Sequence, residues 1–206
     1  MLAERLPEVE LVVPETGRID PDALFGNRRP LWLEIGFGGG EHLAAQAAAH
    51  PERGLIGCEP YIDGVARLLA LAEAERLQNL RVVVDDARLL LDALPDRCLE
   101  RIFVLFPDPW PKIRHHKRRI VNATTAAQFG RLLVPGGELR LATDDISYAR
   151  WMLQVLWPVN QLAWLARRPG DWRERPPDWP ATRYEAKALA AGRRCVYLRF
   201  GRSPEG

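Results

Sequence analysis

The sequence predicts an α/β fold, in which a mostly parallel sheet carries helices on both faces. Three observations predict it. Short apolar runs of strand length alternate with amphipathic stretches of helical spacing. A glycine-rich loop joins the first run to the first helical stretch, where a doubly wound sheet places its ligand. The chain has 206 residues of which 47% are hydrophobic, enough to bury the core of one generous domain.

Residues 1–29 read as an irregular lead-in, ending in a turn around Gly26-Asn-Arg-Arg-Pro30. The domain itself is expected over 30–206. Leu31–Ile35 is a buried strand and Glu41–His50 an Ala-rich helix. Gly54–Cys58 is a second strand and Ile62–Leu77 an amphipathic helix. Leu80–Val84, ending in β-branched residues, is a third strand, and Arg101–Phe106 a fourth. Thr124–Leu133 is a helix stopped by the breaker Pro135-Gly136-Gly137, after which Glu138–Ala142 forms a fifth strand. A helix follows from Ile146 to Trp157, with Trp151 and Trp157 expected in the core. Gln161–Ala166 and Arg194–Phe200 complete seven strands, with no helix expected between them. The intervening 167–193 is too long for an idle loop in a compact domain, and Trp172 and Trp179 seek burial or stacking there.

Composition excludes several classes. The formal net charge is only +2, so polyanion binding must come from a local patch. Cys58, Cys98 and Cys195 are widely spaced, odd in number and without a CxxC pair, which argues against a disulfide framework or a zinc site and fits a reducing cytoplasm. No metal is expected. Met1-Leu-Ala-Glu-Arg-Leu-Pro7 lacks the basic start and apolar core of a signal peptide, and no apolar run is long enough to span a bilayer.

The loop Leu33-Glu-Ile-Gly-Phe-Gly-Gly-Gly40 lets backbone approach a ligand closely, through Gly36 and Gly38. It is not a dinucleotide fingerprint. The third glycine of that pattern would fall at Glu41, and a carboxylate there would repel a pyrophosphate at the helix N-terminus. Glu34 offers hydrogen-bond acceptors to a cationic amino acid group, which suits S-adenosylmethionine, a ligand with an ammonium and no phosphate. Glu59, 19 residues beyond the last glycine, can take two ribose hydroxyls. Asp86 or its neighbour Asp85 can face an adenine amino group, and the strand pleat should aim only one of them at the crevice.

Phe103–Arg119 combines three kinds of chemistry. An apolar run leads to a turn stiffened by Pro107, Pro109 and Pro111; Asp108 supplies acceptor oxygens and Trp110 a stacking plane. A run of cations then offers a landing site for phosphates. Of 29 lysines and arginines only Lys112, Lys117 and Lys187 are lysine, and two of these fall in this run. An acceptor, a stacking plane and a phosphate grip together suggest an enzyme that handles one base of a nucleic acid.

These residues resemble a known family, the bacterial tRNA (guanine-N7-)-methyltransferases of the TrmB type, from about Leu31 to Phe200. The resemblance is carried by Glu34-Ile-Gly-Phe-Gly38, Phe106-Pro-Asp-Pro-Trp-Pro-Lys112, Arg114-His-His-Lys-Arg-Arg119, Ala142-Thr-Asp144 with Tyr148-Ala149, and Thr182-Arg-Tyr-Glu185. It implies a Rossmann-like class I methyltransferase fold with a seven-stranded sheet. It implies methyl transfer from S-adenosylmethionine to N7 of a guanosine in the tRNA variable loop, in the cytoplasm, by a monomer or homodimer. It places cofactor contacts on Glu34, Glu59, Asp86 and Asp108. Substrate contacts fall on Lys112, Asp144, Thr182, Arg183, Tyr184 and Glu185. Arg114, His115, His116, Lys117, Arg118 and Arg119 would face RNA. The sequence departs from the family where Ala188, not glycine, follows Lys187, and its lead-in is short for an extra RNA-gripping arm.

Overall fold

The computed structural model describes residues 2–204; Met1 and residues 205–206, the ends of the expected lead-in and domain, lie outside the described residues. Seven strands form one sheet in the order β3-β2-β1-β4-β5-β7-β6. They are β1 Leu31–Ile35, β2 Gly54–Cys58, β3 Leu80–Val83, β4 Leu99–Leu105, β5 Leu133–Thr143, β6 Leu162–Trp164 and β7 Val196–Arg202. The first five pair in parallel. β7 runs antiparallel between β5 and β6, which closes that side of the sheet. The seven-stranded, mostly parallel sheet is therefore as expected. Strand order reverses at β1, so a crevice opens beyond the carboxyl ends of β1 and β4.

Both faces of the sheet are buried, which is why β1 and β2 are apolar almost throughout and bury every residue. On one face Trp32, Leu55 and Val82 pack with Leu43 of α2 (Glu41–Ala49) and Val65 and Leu68 of α3 (Ile62–Ala74). On the other face Leu33, Ile56 and Val104 pack with Leu90 and Leu91 of α4 (Ala87–Ala93), Phe129 of α5 (Ala123–Leu132) and Met152 of α6 (Ile146–Leu156). Asp86, Asn122 and Asp145 cap α4, α5 and α6 by accepting from backbone N–H groups in their first turns.

Four expectations need correcting. The lead-in is not irregular throughout. Leu2–Val9 is a helix, α1, and the Leu11 N–H donates to the Val82 carbonyl, so this segment borders the β3 edge. Pro135-Gly136-Gly137 does not separate a helix from a strand. α5 ends at Leu132 and β5 starts at once; the three residues form a bulge in which pairing jumps from Leu99↔Leu133 to Arg101↔Glu138. The tail between β6 and β7 is not helix-free: it holds α7 (Gly170–Arg173) and α8 (Arg183–Ala190). The sequence carried the signal for α8 in Thr182-x-x-Glu185, since the Thr182 hydroxyl accepts from the Glu185 N–H at 3.0 Å and caps the helix. Finally, Trp157 is not core; it is exposed and meets Trp164 edge-on.

Candidate active site

A cleft of about 500 Å³ lies at the carboxyl ends of β1, β2 and β4. The glycine loop forms part of its wall. Gly36, Gly38 and Gly40 all adopt left-handed φ, and a Cβ on Gly38 would lie 3.0 Å from the Tyr184 ring, a tight contact. The loop also needs Gly64 in the first turn of α3. A Cβ on Gly64 would stand 2.3 Å from the Gly38 carbonyl oxygen. That glycine sits inside a predicted helix, where no sequence motif marks it as functional.

Glu59 is only 5% exposed and lines the cleft. Its Oε2 accepts from the Gly38 N–H at 3.0 Å and its Oε1 from the Tyr61 N–H at 3.1 Å, which ties the glycine loop to the end of β2. Burial pushes the neighbouring Cys58 thiol up to about 12, with Asp86 and Glu59 adding to the effect, so this cysteine is inert packing. Asp86 lines the cleft and its rival Asp85 does not; Asp85 instead accepts from the Asp86 N–H at 2.6 Å.

Glu34 is not brought into the cleft. It is 3% exposed and faces α2, where its Oε2 lies 2.7 Å from His42 Nδ1. The pleat that points Ile35 into the cleft points Glu34 the other way. His42 continues to Gln46, and Gln46 donates to the Asp178 carbonyl in the tail. His42 is buried and stands outside the lining of the cleft.

Asp108 and Trp110 line the same cleft as the glycines. Phe106 and Trp110 hold φ values of +51° and +43°, a strained conformation for bulky residues, on either side of Asp108. The three prolines and a set of contacts overdetermine it. Arg118 stacks over the Trp110 ring at 4.8 Å and His115 meets its edge. The Arg119 Nε–H donates to the Pro109 carbonyl at 2.8 Å.

Ile113–Arg118 form a short 3-10 turn preceded by Lys112, and Lys112, Arg114, Lys117 and Arg118 are exposed. Arg119 belongs to a different class from its neighbours. It is 2% exposed, with its guanidinium stacked on Tyr148 at 4.9 Å and on Trp151 at 5.0 Å. His116 packs against Trp151 as well. The expected RNA-facing run is thus split: Arg114, Lys117 and Arg118 face outward beside Lys112, His115 and His116 are half-buried against Trp110 and Trp151, and Arg119 serves the turn itself.

A family model described as "Putative methyltransferase" matches residues 28–198. The tRNA (guanine-N(7)-)-methyltransferase of Rhodospirillum rubrum is 52% identical over 99% of this chain and 82% of its own length. That of Roseobacter denitrificans is 50% identical over 92% of this chain and 80% of its own. The chain belongs to this family. Among solved structures, the 16S rRNA methyltransferase KamB aligns with a TM-score of 0.59 at 15% identity, covering 87% of this chain and 91% of that one. An antibiotic-related methyltransferase aligns with a TM-score of 0.56 at 16% identity, over 91% and 96%. At such identities the likeness shows the class I methyltransferase fold.

Of the remaining residues suggested by the family motifs, only Tyr184 lines the cleft. Tyr184 on α8 is half-exposed against Gly38 and lines the cleft, so α8 covers the glycine loop. Arg183 lies 3.7 Å from Glu41 at the start of α2. Glu185 is buried; it accepts from the Tyr197 hydroxyl and pairs with Arg175 Nε at 3.1 Å, which holds α8 against β7. Asp144, at the end of β5, pairs with Arg193 at 2.6 Å. Lys112, Asp144 and Glu185 stand outside the lining of the cleft, whereas Tyr184 is part of it.

Among the described residues, no helix is long and apolar enough to cross a membrane.

Proposed function

We propose that this chain transfers a methyl group from S-adenosylmethionine to N7 of a guanosine in the variable loop of tRNA. The observation that carries the reading is that Asp108 and Trp110 share one cleft with the glycine loop and Glu59, while the turn that follows presents four exposed cations.

The residues fit the cofactor. The approach of Gly38 to Gly64 leaves a cradle that a Cβ would fill. Glu59, buried at that cradle, retains lone pairs for ribose hydroxyls after accepting from two backbone N–H groups. Asp86 is the acidic side chain at the end of β3 that lines the cleft. When bound, S-adenosylmethionine supplies an electrophilic methyl on its sulfonium. Glu34, held by His42, acts through the loop and does not touch the ligand.

Guanine N7 carries an in-plane lone pair at neutral pH, so no proton is removed before attack and no general base is needed. The protein's task is to position the base and to balance charge. Asp108 accepts from guanine N1–H and its amino group, and its negative charge offsets the positive charge that develops on the purine. Arg118 covers one face of Trp110, so a base stacks on the other; Tyr184 bounds the cleft beside Gly38. The exposed cations hold phosphates on either side of the flipped nucleotide.

The test is transfer of labelled methyl from S-adenosylmethionine to unmodified bulk tRNA, followed by digestion to nucleosides. Label in 7-methylguanosine is the expected result. Label in another nucleoside overturns the base assignment, and full turnover by Asp108→Asn with unchanged selectivity overturns the role of Asp108.

A further inference from the structure

Arg88 lies on the first turn of α4, lines the cleft, and is not one of the residues that the family motifs bring to the site. Its guanidinium is used at both ends. Nη1 lies 3.2 and 2.8 Å from the two carboxylate oxygens of Asp86, and Nη2 donates to the carbonyls of Arg118 at 3.2 Å and Arg119 at 3.4 Å. Asp86 stands at the cofactor side of the cleft, and Arg118 and Arg119 end the basic turn. Arg119 then carries the connection onward, because its side chain holds the Pro109 carbonyl between Asp108 and Trp110.

We propose that Arg88 is a positioning residue that couples cofactor binding to RNA binding, by bridging Asp86 to the carbonyl end of the basic turn. This rests on the reading of the cleft given above. A ligand that orders Asp86 fixes the plane of the Arg88 fork, and the fork sets where the last carbonyls of the basic turn lie. RNA phosphates on Lys117 and Arg118 order the same fork from the other side. Each ligand bears part of the ordering cost of the shared network, so the second one binds more tightly. Linkage makes the gain reciprocal. The arrangement needs a guanidinium: its rigid fork presents donors in two directions, whereas a lysine ammonium at the same place is a point charge.

The test uses S-adenosylhomocysteine, which has no methyl to transfer, titrated calorimetrically into the full chain with and without unmodified tRNA transcript. In the wild type, tRNA is expected to tighten S-adenosylhomocysteine by ~5-fold or more. In Arg88→Ala and in Arg88→Lys the ratio should fall to within about twofold of unity, with the salt slope of tRNA binding unchanged, because Arg88 donates to carbonyls and not to phosphates. Arg88→Lys keeps the charge, so a folded variant is available if Arg88→Ala loosens α4. A wild-type ratio of one, or an undiminished ratio in both variants, overturns the proposal. A salt slope lowered in Arg88→Ala would make Arg88 a phosphate contact and overturn it too. A wild type that binds S-adenosylhomocysteine but transfers no methyl to tRNA refutes the substrate reading and this coupling together. A wild type that methylates tRNA without the coupling refutes only the role of Arg88.

Discussion

Gly64→Ala tests the cradle in one atom. The added Cβ would lie 2.3 Å from the Gly38 carbonyl oxygen and 3.3 Å from Glu59 Cγ. Ordinary contact begins near 3.4 Å, so one side must give by roughly 1 Å. α3 cannot give cheaply, because Val65 and Leu68 are fully buried against β2 and β3. The glycine loop must move. Its anchor is the 3.0 Å bond from the Gly38 N–H to Glu59, and a shift of that size takes the bond out of range. Losing a bond to a buried carboxylate costs about 1.5–3 kcal/mol, or roughly 10- to 100-fold in cofactor affinity. Alanine is also the better helix former, by about 1 kcal/mol, which offsets part of the strain on folding. The expected pattern is therefore a melting temperature within a few degrees of wild type together with cofactor binding at least tenfold weaker. Calorimetric titration with S-adenosylmethionine and a thermal melt on the same sample measure both. Affinity within twofold of wild type would refute the cradle; a collapsed melting temperature would show that the helix, not the loop, had yielded.

The split in the basic run predicts opposite phenotypes for neighbours. Lys117→Ala should weaken tRNA binding and lower its salt slope by about one, with the melting temperature unchanged, whereas Arg119→Ala should lower the melting temperature and raise KM with the slope intact; filter binding across a salt series separates them. His42→Ala leaves the buried Glu34 without its 2.7 Å partner and should destabilise the fold by about 1–3 kcal/mol in urea, although His42 is outside the cleft; an unchanged midpoint would refute this. Acid stability should depend on Glu138 and Asp178. Burial pushes each carboxyl up, but hydrogen bonds and charge from Arg199 and Arg140 around Glu138, and from Arg140 and Arg101 around Asp178, outweigh it and hold both below the usual range. The folded state thus binds these protons more weakly than the unfolded chain, so their contribution is complete above roughly pH 5 and is lost as the pH falls through the folded values. Asp178→Asn should flatten the loss of tryptophan fluorescence between about pH 5 and 3, and an unaltered acid midpoint would refute the assignment.

The strand pattern from Leu31 to Leu105 was legible because a buried parallel sheet demands continuous apolar runs of strand length. The Asp108 turn and the glycine loop were legible for a similar reason. Proline and glycine fix or free φ through covalent structure, and Asp and Trp bring one chemistry each. α8 was legible too, through Thr182 and Glu185, but a Pro- and Trp-rich setting hid it. Charge carried no such information. Lys117 and Arg119 read alike in the sequence, and one is exposed while the other is buried on two aromatic rings.

By itself, then, the sequence determined the sheet, the loop and the turn, because local covalent preference and apolar periodicity act over a few residues and survive without tertiary context. Only the tertiary structure decided what each ionisable group is for. Glu34 serves His42 beneath the loop, Glu59 holds the loop closed, and Arg88 spans from Asp86 to the basic turn, 30 and 31 residues away in the chain. A charge acts through distance and dielectric, and both are set by which parts of the chain the fold brings together.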